Sequence, residues 1–288
     1  MKRAQRFGGP WSLVKLEALQ SYLTAFARVM VHQNFKRTYI DAFAGSGDFT
    51  FDAEDGGPMF NPDSAATVHA GSARRALGTE PAFHRLYFIE NRRKNVAALR
   101  ALIAAESARA VVVAGNANNE LTRIIRSIDW KLHRGIIFLD PFGNSLEWRT
   151  LEAVASTKLD VWYLFPLAGV YRNAPIDKDK LTSEKRNAIT RIVGTTDWQE
   201  AFYAPPLTAS PTLFNLPSTS AKRTLDVDGI ESFVKSRLES IFPAVEPPLR
   251  LLGPTKAPIF SLFFAMTNTS PKAHAVAIPI ARHILRQR

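Results

Sequence analysis

The sequence predicts an α/β fold: a doubly wound, mostly parallel sheet with an N-terminal helix and a helical and loop insertion. Three observations carry this. Short apolar runs alternate with helical periodicity from residue 38 to residue 168, the pattern of strand–helix–strand units with right-handed crossovers. One run, GIIFLD at 135–140, is apolar without alternation, which suits a strand covered on both faces. And 288 residues, 46% hydrophobic and 22% charged, suffice for one large core that needs no staples.

Each element follows in order. Residues 11–33 read as an amphipathic helix, because Leu16, Leu19, Leu23, Phe26 and Met30 recur at spacings of three and four and share one face. TYIDAF at 38–43 is the first strand, ending in the turn Ala44-Gly45-Ser46-Gly47. Residues 48–70 are rich in Gly, Pro and Asp, and a loop of that length in a compact domain is usually functional or mobile. A helix begins near Gly71-Ser72. Strands follow at 86–90, 110–114, 135–140 and 160–165, with helices at 95–105, 121–128 and 148–155 between them. From 169 to 258 the pattern loosens into a cap or insertion, with a Pro/Ser/Thr-rich stretch at 204–220 and short helices near 181–193 and 229–241. A strand at 259–267 and a helix at 271–286, with Pro279 as a point of kinking, return to the core. The chain thus divides into a basic segment (1–37), a core (38–168), a variable part (169–258) and a closing strand and basic helix (259–288).

Composition excludes several chemistries. With no cysteine, disulfides, Cys-ligated zinc, iron–sulfur clusters and a cysteine nucleophile are all ruled out. The six histidines are scattered without metal-ligand spacing, so no metal site is expected. Lys15, Glu17 and Arg28 interrupt the first apolar stretch; no secretory leader or membrane span is expected, and the cytoplasm is the default location. The net charge is +11, and residues 1–37 and 247–288 carry +6 each. Clustered positive ends attract a polyanion, most simply nucleic acid, or an acidic protein partner.

Four motifs fall at the C-terminal ends of successive strands, where open α/β sheets bind ligands. The turn Asp41-Ala42-Phe43-Ala44-Gly45-Ser46-Gly47 lets a ligand approach the backbone; it lacks the lysine of a phosphate-cradling P-loop. Glu90 closes the second strand, where a carboxylate can accept from two ribose hydroxyls. Gly115-Asn116-Ala117-Asn118 follows the third, offering an amide to an adenine edge. Asp140-Pro141-Phe142-Gly143 follows the fourth, with a carboxylate and an aromatic plane for a flat substrate. Taken singly, each is also compatible with an ordinary turn or a solvated strand end.

The succession DAFAGSG, FIE, GNAN and FLDPFG resembles that of class I S-adenosylmethionine-dependent methyltransferases. More closely, the chain resembles the three-Cys-motif partner (TcmP) family, through WSLVKLEALQSYL, YIDAFAGSG, Gly71-Ser72-Ala73, FIE, FLDPFG and FFAMTN. The resemblance covers 11–170 and resumes near 259–286. It implies S-adenosylmethionine as cofactor, with Asp41, Phe43, Ala44, Gly45 and Gly47 cradling the methionine part, Glu90 holding the ribose, and Asn116 and Ala117 bordering the adenine. Asn116 stands where related methyltransferases commonly have Asp. DPFG is similar both to the DPP[YFW] of amino-methyltransferases acting on nucleic-acid bases and to the DP[FY]G of tRNA guanine-N2 dimethyltransferases. Asp140, Pro141 and Phe142 are thereby implied in catalysis, with the acceptor base open. Lys15, beside the apolar stripe of the first helix, either reaches the cofactor carboxylate or is simply solvated. Two functions follow from the resemblance: methyl transfer to an exocyclic amine of a nucleic-acid base, or a methyltransferase-fold partner that supports a three-Cys-motif protein without catalysing transfer.

Overall fold

The computed structural model describes residues 5–6, 9–50, 68–204 and 221–287. Most of the Gly/Pro/Asp-rich excursion and of the Pro/Ser/Thr-rich stretch lies outside the described residues. The main sheet is built from β1 (Lys36–Asp41), β2 (Arg85–Glu90), β3 (Ala110–Ala114), β4 (His133–Leu139), β5 (Leu159–Phe165), β6 (Ala244–Val245), β7 (Leu249–Leu252) and β8 (Pro258–Met266). Across the sheet the order is β3-β2-β1-β4-β5-β8, with β6 and β7 both pairing with β8. The first five strands are mutually parallel, and β8 runs antiparallel to β5. Chain order reverses between β1 and β4, so those two strand ends flank the topological switch point.

Alternation of side chains across the pleat separates two apolar layers. Tyr39, Ile136, Phe138, Trp162 and Leu164 face one layer, and Ile40, Ile137, Leu139, Val161 and Tyr163 face the other. The first layer is covered by α1 (Pro10–Met30), α2 (Ser72–Leu77), α3 (Arg93–Leu102) and, at the end of the chain, the helix Pro271–Arg286. The second is covered by α4 (Ala117–Ser127), α5 (Trp148–Ala155), α6 (Leu167–Asn173), α7 (Ser183–Val193), α8 (Trp198–Phe202) and α9 (Val227–Glu239). The periodic stripe expected in α1 is the buried one: Leu16, Leu19, Leu23 and Phe26 lie in the core with Tyr22. The closing helix, α10, carries Pro279 inside it.

Two differences from the sequence reading concern 169–258. β6 and β7 lie in the stretch read as a cap, yet they extend the main sheet through β8. The Pro247-Pro248 pair between them masks two short strands as loop, since proline is poor in a ladder. α6 also starts directly after β5, at Leu167, where the sequence shows only loosened periodicity. Among the described residues no helix is long and apolar enough to cross a membrane.

Candidate functional site

At the end of β1, Asp41 is fully buried. Its carboxyl accepts from the Phe43 amide (3.3 Å) and the Tyr39 hydroxyl (3.3 Å), and from the Ser72 hydroxyl. Burial pushes its pKa up to about 7; the Ser72 and Phe43 hydrogen bonds oppose this, and the nearby Asp140 adds to it. The sequence reading gave Asp41 a direct part in cradling a cofactor. In the structure its side chain holds the turn through the Phe43 amide and the Ser72 hydroxyl. Ala44 is buried and its amide donates to the Ile89 carbonyl (3.0 Å); Phe43 is half-buried.

The turn then crosses Gly45 (φ 63°) and Gly47 (φ 89°), both in the left-handed region that favours glycine. Between them, Ser46 donates its hydroxyl to the Asp48 carbonyl (2.6 Å). The Gly71 amide donates to the Gly47 carbonyl (2.9 Å), and a Cβ on Gly71 would sit 2.7 Å from that same oxygen. Gly71 and Ser72 therefore clamp the turn, one through its backbone and one through Asp41. This role is not visible in the sequence, where the pair marks a helix start and belongs to the family resemblance.

Glu90 ends β2, buried, with Oε1 accepting from the Arg92 amide (2.7 Å). A carboxylate has lone pairs for further donors. After β3, Asn116 is the exposed N-cap of α4, its Oδ1 accepting from the Asn118 amide (2.9 Å), and Ala117 is buried beside it. The Asn116 side-chain NH2 has no partner among the described residues. The buried Asn118 is a residue that the sequence reading left without a role. Its Nδ2 donates to the Ser145 carbonyl (2.9 Å), and its Oδ1 accepts from the Glu147 amide (3.0 Å) and the Thr150 hydroxyl (2.9 Å). It ties the start of α4 to the loop that follows β4.

That loop holds the fourth motif. Asp140 is half-buried and paired with Lys15 of α1, whose ammonium donates to Oδ2; the two side chains are 24% and 13% exposed. Lys15 is therefore not solvated, and in this structure its partner is a carboxylate of the protein. Pro141 is buried, whereas Phe142 is 67% exposed. The Arg92 guanidinium lies 5.7 Å from the Phe142 ring centroid. Gly143 takes φ 57° with open space about it. The fold thus brings Asp41, Lys15 and Asp140 together at the switch point, with Glu90 ending the next strand and Arg92 bridging from it to Phe142.

No family model and no curated protein sequence matches the chain. Among solved structures it is similar to protein LPL1258 from Legionella pneumophila, ascribed to the family DUF519: 12% identity over 96% of this chain and 92% of that one, TM-score 0.52. What they share is the fold. Matches also include an O-methyltransferase from Bacillus cereus in complex with SAH (13% identity, 88% and 90% of the two chains, TM-score 0.37). A further one is an S-adenosylmethionine-dependent methyltransferase from Clostridium acetobutylicum (7%, 86% and 91%, TM-score 0.38). The fold is a mostly parallel, Rossmann-like α/β arrangement. The likeness to three-Cys-motif partners rests on the sequence motifs alone.

Proposed function

We propose that the chain is an S-adenosylmethionine-dependent methyltransferase acting on an exocyclic amine of a nucleic-acid base. The observation that carries this is the pairing, on one loop, of the half-buried Asp140 carboxylate with the exposed Phe142 ring. A conjugated amine needs an acceptor group to aim it and a flat surface to hold its ring.

The strand ends fit the cofactor. Gly45 and Gly47 carry no side chain and Ser46 between them turns its hydroxyl to the Asp48 carbonyl, Glu90 keeps acceptor capacity for ribose hydroxyls, and Asn116 holds an unpartnered NH2 at the helix start. Residues 43–47 would hold the methionine part, Glu90 the ribose, and Asn116 with Ala117 the adenine. When bound, the cofactor supplies an electrophilic methyl group. Asp140 and the Pro141 carbonyl accept the amine's N–H groups and turn its lone pair toward the methyl. Lys15 fixes the rotamer of Asp140, and Phe142 stacks the ring; positioning of this kind contributes much of the acceleration. Lys15 is in this reading a positioning residue and not a ligand of the cofactor.

Titration calorimetry with S-adenosylhomocysteine and tritiated-methyl incorporation into bulk tRNA and DNA test the proposal. Binding that is lost in Gly45→Val, with transfer that is lost in Asp140→Ala, is expected. Cofactor binding without transfer to any nucleic acid would favour the partner role for a three-Cys-motif protein. No cofactor binding at all would sink the enzyme reading.

A further inference from the structure

The positive charge seen from composition belongs to the chain ends, but the structure places another cluster beside the candidate site. Arg92, Arg93 and Lys94 are consecutive and exposed, at the start of α3, just past Glu90. Some arginines elsewhere pair with carboxylates, as Arg74 with Asp48, Arg109 with Glu106, Arg123 with Glu120, Arg250 with Glu231 and Arg282 with Glu246, and others, such as Arg100 and Arg126, have no such partner among the described residues. Arg93 and Lys94 pair with no carboxylate among the described residues. They also do nothing for α3, whose first turn holds no acid, since cations there meet the positive end of the helix and one another. Arg92, which precedes them in the chain, holds its guanidinium over the Phe142 ring.

We propose that Arg93, Lys94, Arg92 and Phe142 form a landing rim for single-stranded nucleic acid, the cations meeting the backbone phosphates and Phe142 stacking one base. This names the acceptor class for the methyltransferase reading and rests on it. The aromatic plane is what favours nucleic acid over an acidic protein. A carboxylate-rich surface gains nothing from an exposed ring, whereas every base has a π-face to lay on it. A ring 67% exposed takes a base only when that base is out of its own stack, so a paired duplex is a poorer ligand.

The test is fluorescence anisotropy with a labelled single-stranded 16-mer RNA and the matching blunt duplex, titrated across KCl concentrations, with S-adenosylhomocysteine calorimetry on the same proteins. Each phosphate contact on a single strand adds about 0.7 to the slope of log affinity against log salt. Arg93→Ala/Lys94→Ala is therefore expected to flatten the slope by about 1.4. Phe142→Ala is expected to weaken single-strand binding roughly 5- to 150-fold while leaving the salt slope alone. Arg100→Ala, an exposed cation at the other end of α3, is expected to change neither. An unchanged slope in the double variant overturns the proposal. So does displacement of the RNA by poly-glutamate with Phe142→Ala without effect, which would assign the rim to an acidic protein. If calorimetry shows cofactor binding while these variants bind RNA as wild type does, the rim fails, and with it the stacking role of Phe142, while the cofactor site of the enzyme reading stands. If cofactor binding is absent, the enzyme reading fails first.

Discussion

Lys15 and Asp140 are 125 residues apart in sequence yet form one ion pair, and removing them singly and together measures what that pair is worth. At 13% and 24% exposure the pair lies between a surface bridge, worth about 0–1 kcal/mol, and a buried one, whose breakage by loss of one partner costs about 3–5 kcal/mol. Lys15→Ala or Asp140→Ala should each cost about 1–3 kcal/mol, mostly from the partner left half-buried and unpaired. A chain of 288 residues unfolds with an entropy on the order of 0.6 kcal/mol/K, so each single variant should melt about 2–5 °C lower. The double variant should melt well above the sum of the two losses, with a coupling of roughly 1 kcal/mol or more. Melting curves and urea unfolding of the four proteins read the cycle. S-adenosylhomocysteine calorimetry on Lys15→Ala reads the competing role, and there the expected affinity is that of wild type. Additivity within about 0.5 kcal/mol, together with a large loss of cofactor affinity in Lys15→Ala, would refute the pairing. Lys15 would then belong to the cofactor.

Three further outcomes follow from the same geometry. Gly71→Ala drives a Cβ against the Gly47 carbonyl at 2.7 Å, so it should displace the glycine turn, weakening cofactor binding at least tenfold by calorimetry. Asn118→Ala leaves the Glu147 amide and the Thr150 hydroxyl without their acceptor, and should cost about 2–4 kcal/mol in urea unfolding, judged from unpaired buried donors. Unchanged stability would mean that water replaces the amide. Asp160, whose buried carboxyl accepts from the Tyr22 hydroxyl (2.7 Å), is raised to about 7 by burial. Its folded pKa exceeds its unfolded one, so its contribution is full below about pH 4 and lost as pH rises through 7. Unfolding free energy should therefore fall from pH 5 to 8 by on the order of a few kcal/mol in wild type, and by less in Asp160→Asn. Parallel pH profiles of the two proteins would contradict this.

The strands and the motifs that end them were legible because apolar runs such as 135–140 and 160–165 stop at residues that cannot continue them. Pro141 closes one and Pro166 the other. The same reasoning hid β6 and β7, where Pro247 and Pro248 interrupt short strands that exist through pairing with β8. Contacts across long chain separations were beyond it. Nothing local to Lys15 points to Asp140, and nothing in Gly71 shows that its missing Cβ makes room for the Gly47 carbonyl. Summing charge over segments located the basic ends but cancelled Arg92, Arg93 and Lys94 against acids that the fold pairs with other residues.

The seating of α1 has a bearing on what can be removed from the chain. Tyr22 lies against Trp162 and Phe264, with ring centroids 5.3 and 5.0 Å away, and Leu16, Leu19 and Leu23 are buried around it. Displacing the helix would bring all of these side chains into water together. α1 is a wall of the molecule. Shortening the chain to remove it would strip part of one covering layer from the sheet, so such a truncation would report first on folding. Lys15 is carried by this helix, so its pairing with Asp140 ties the loop after β4 to the covering layer.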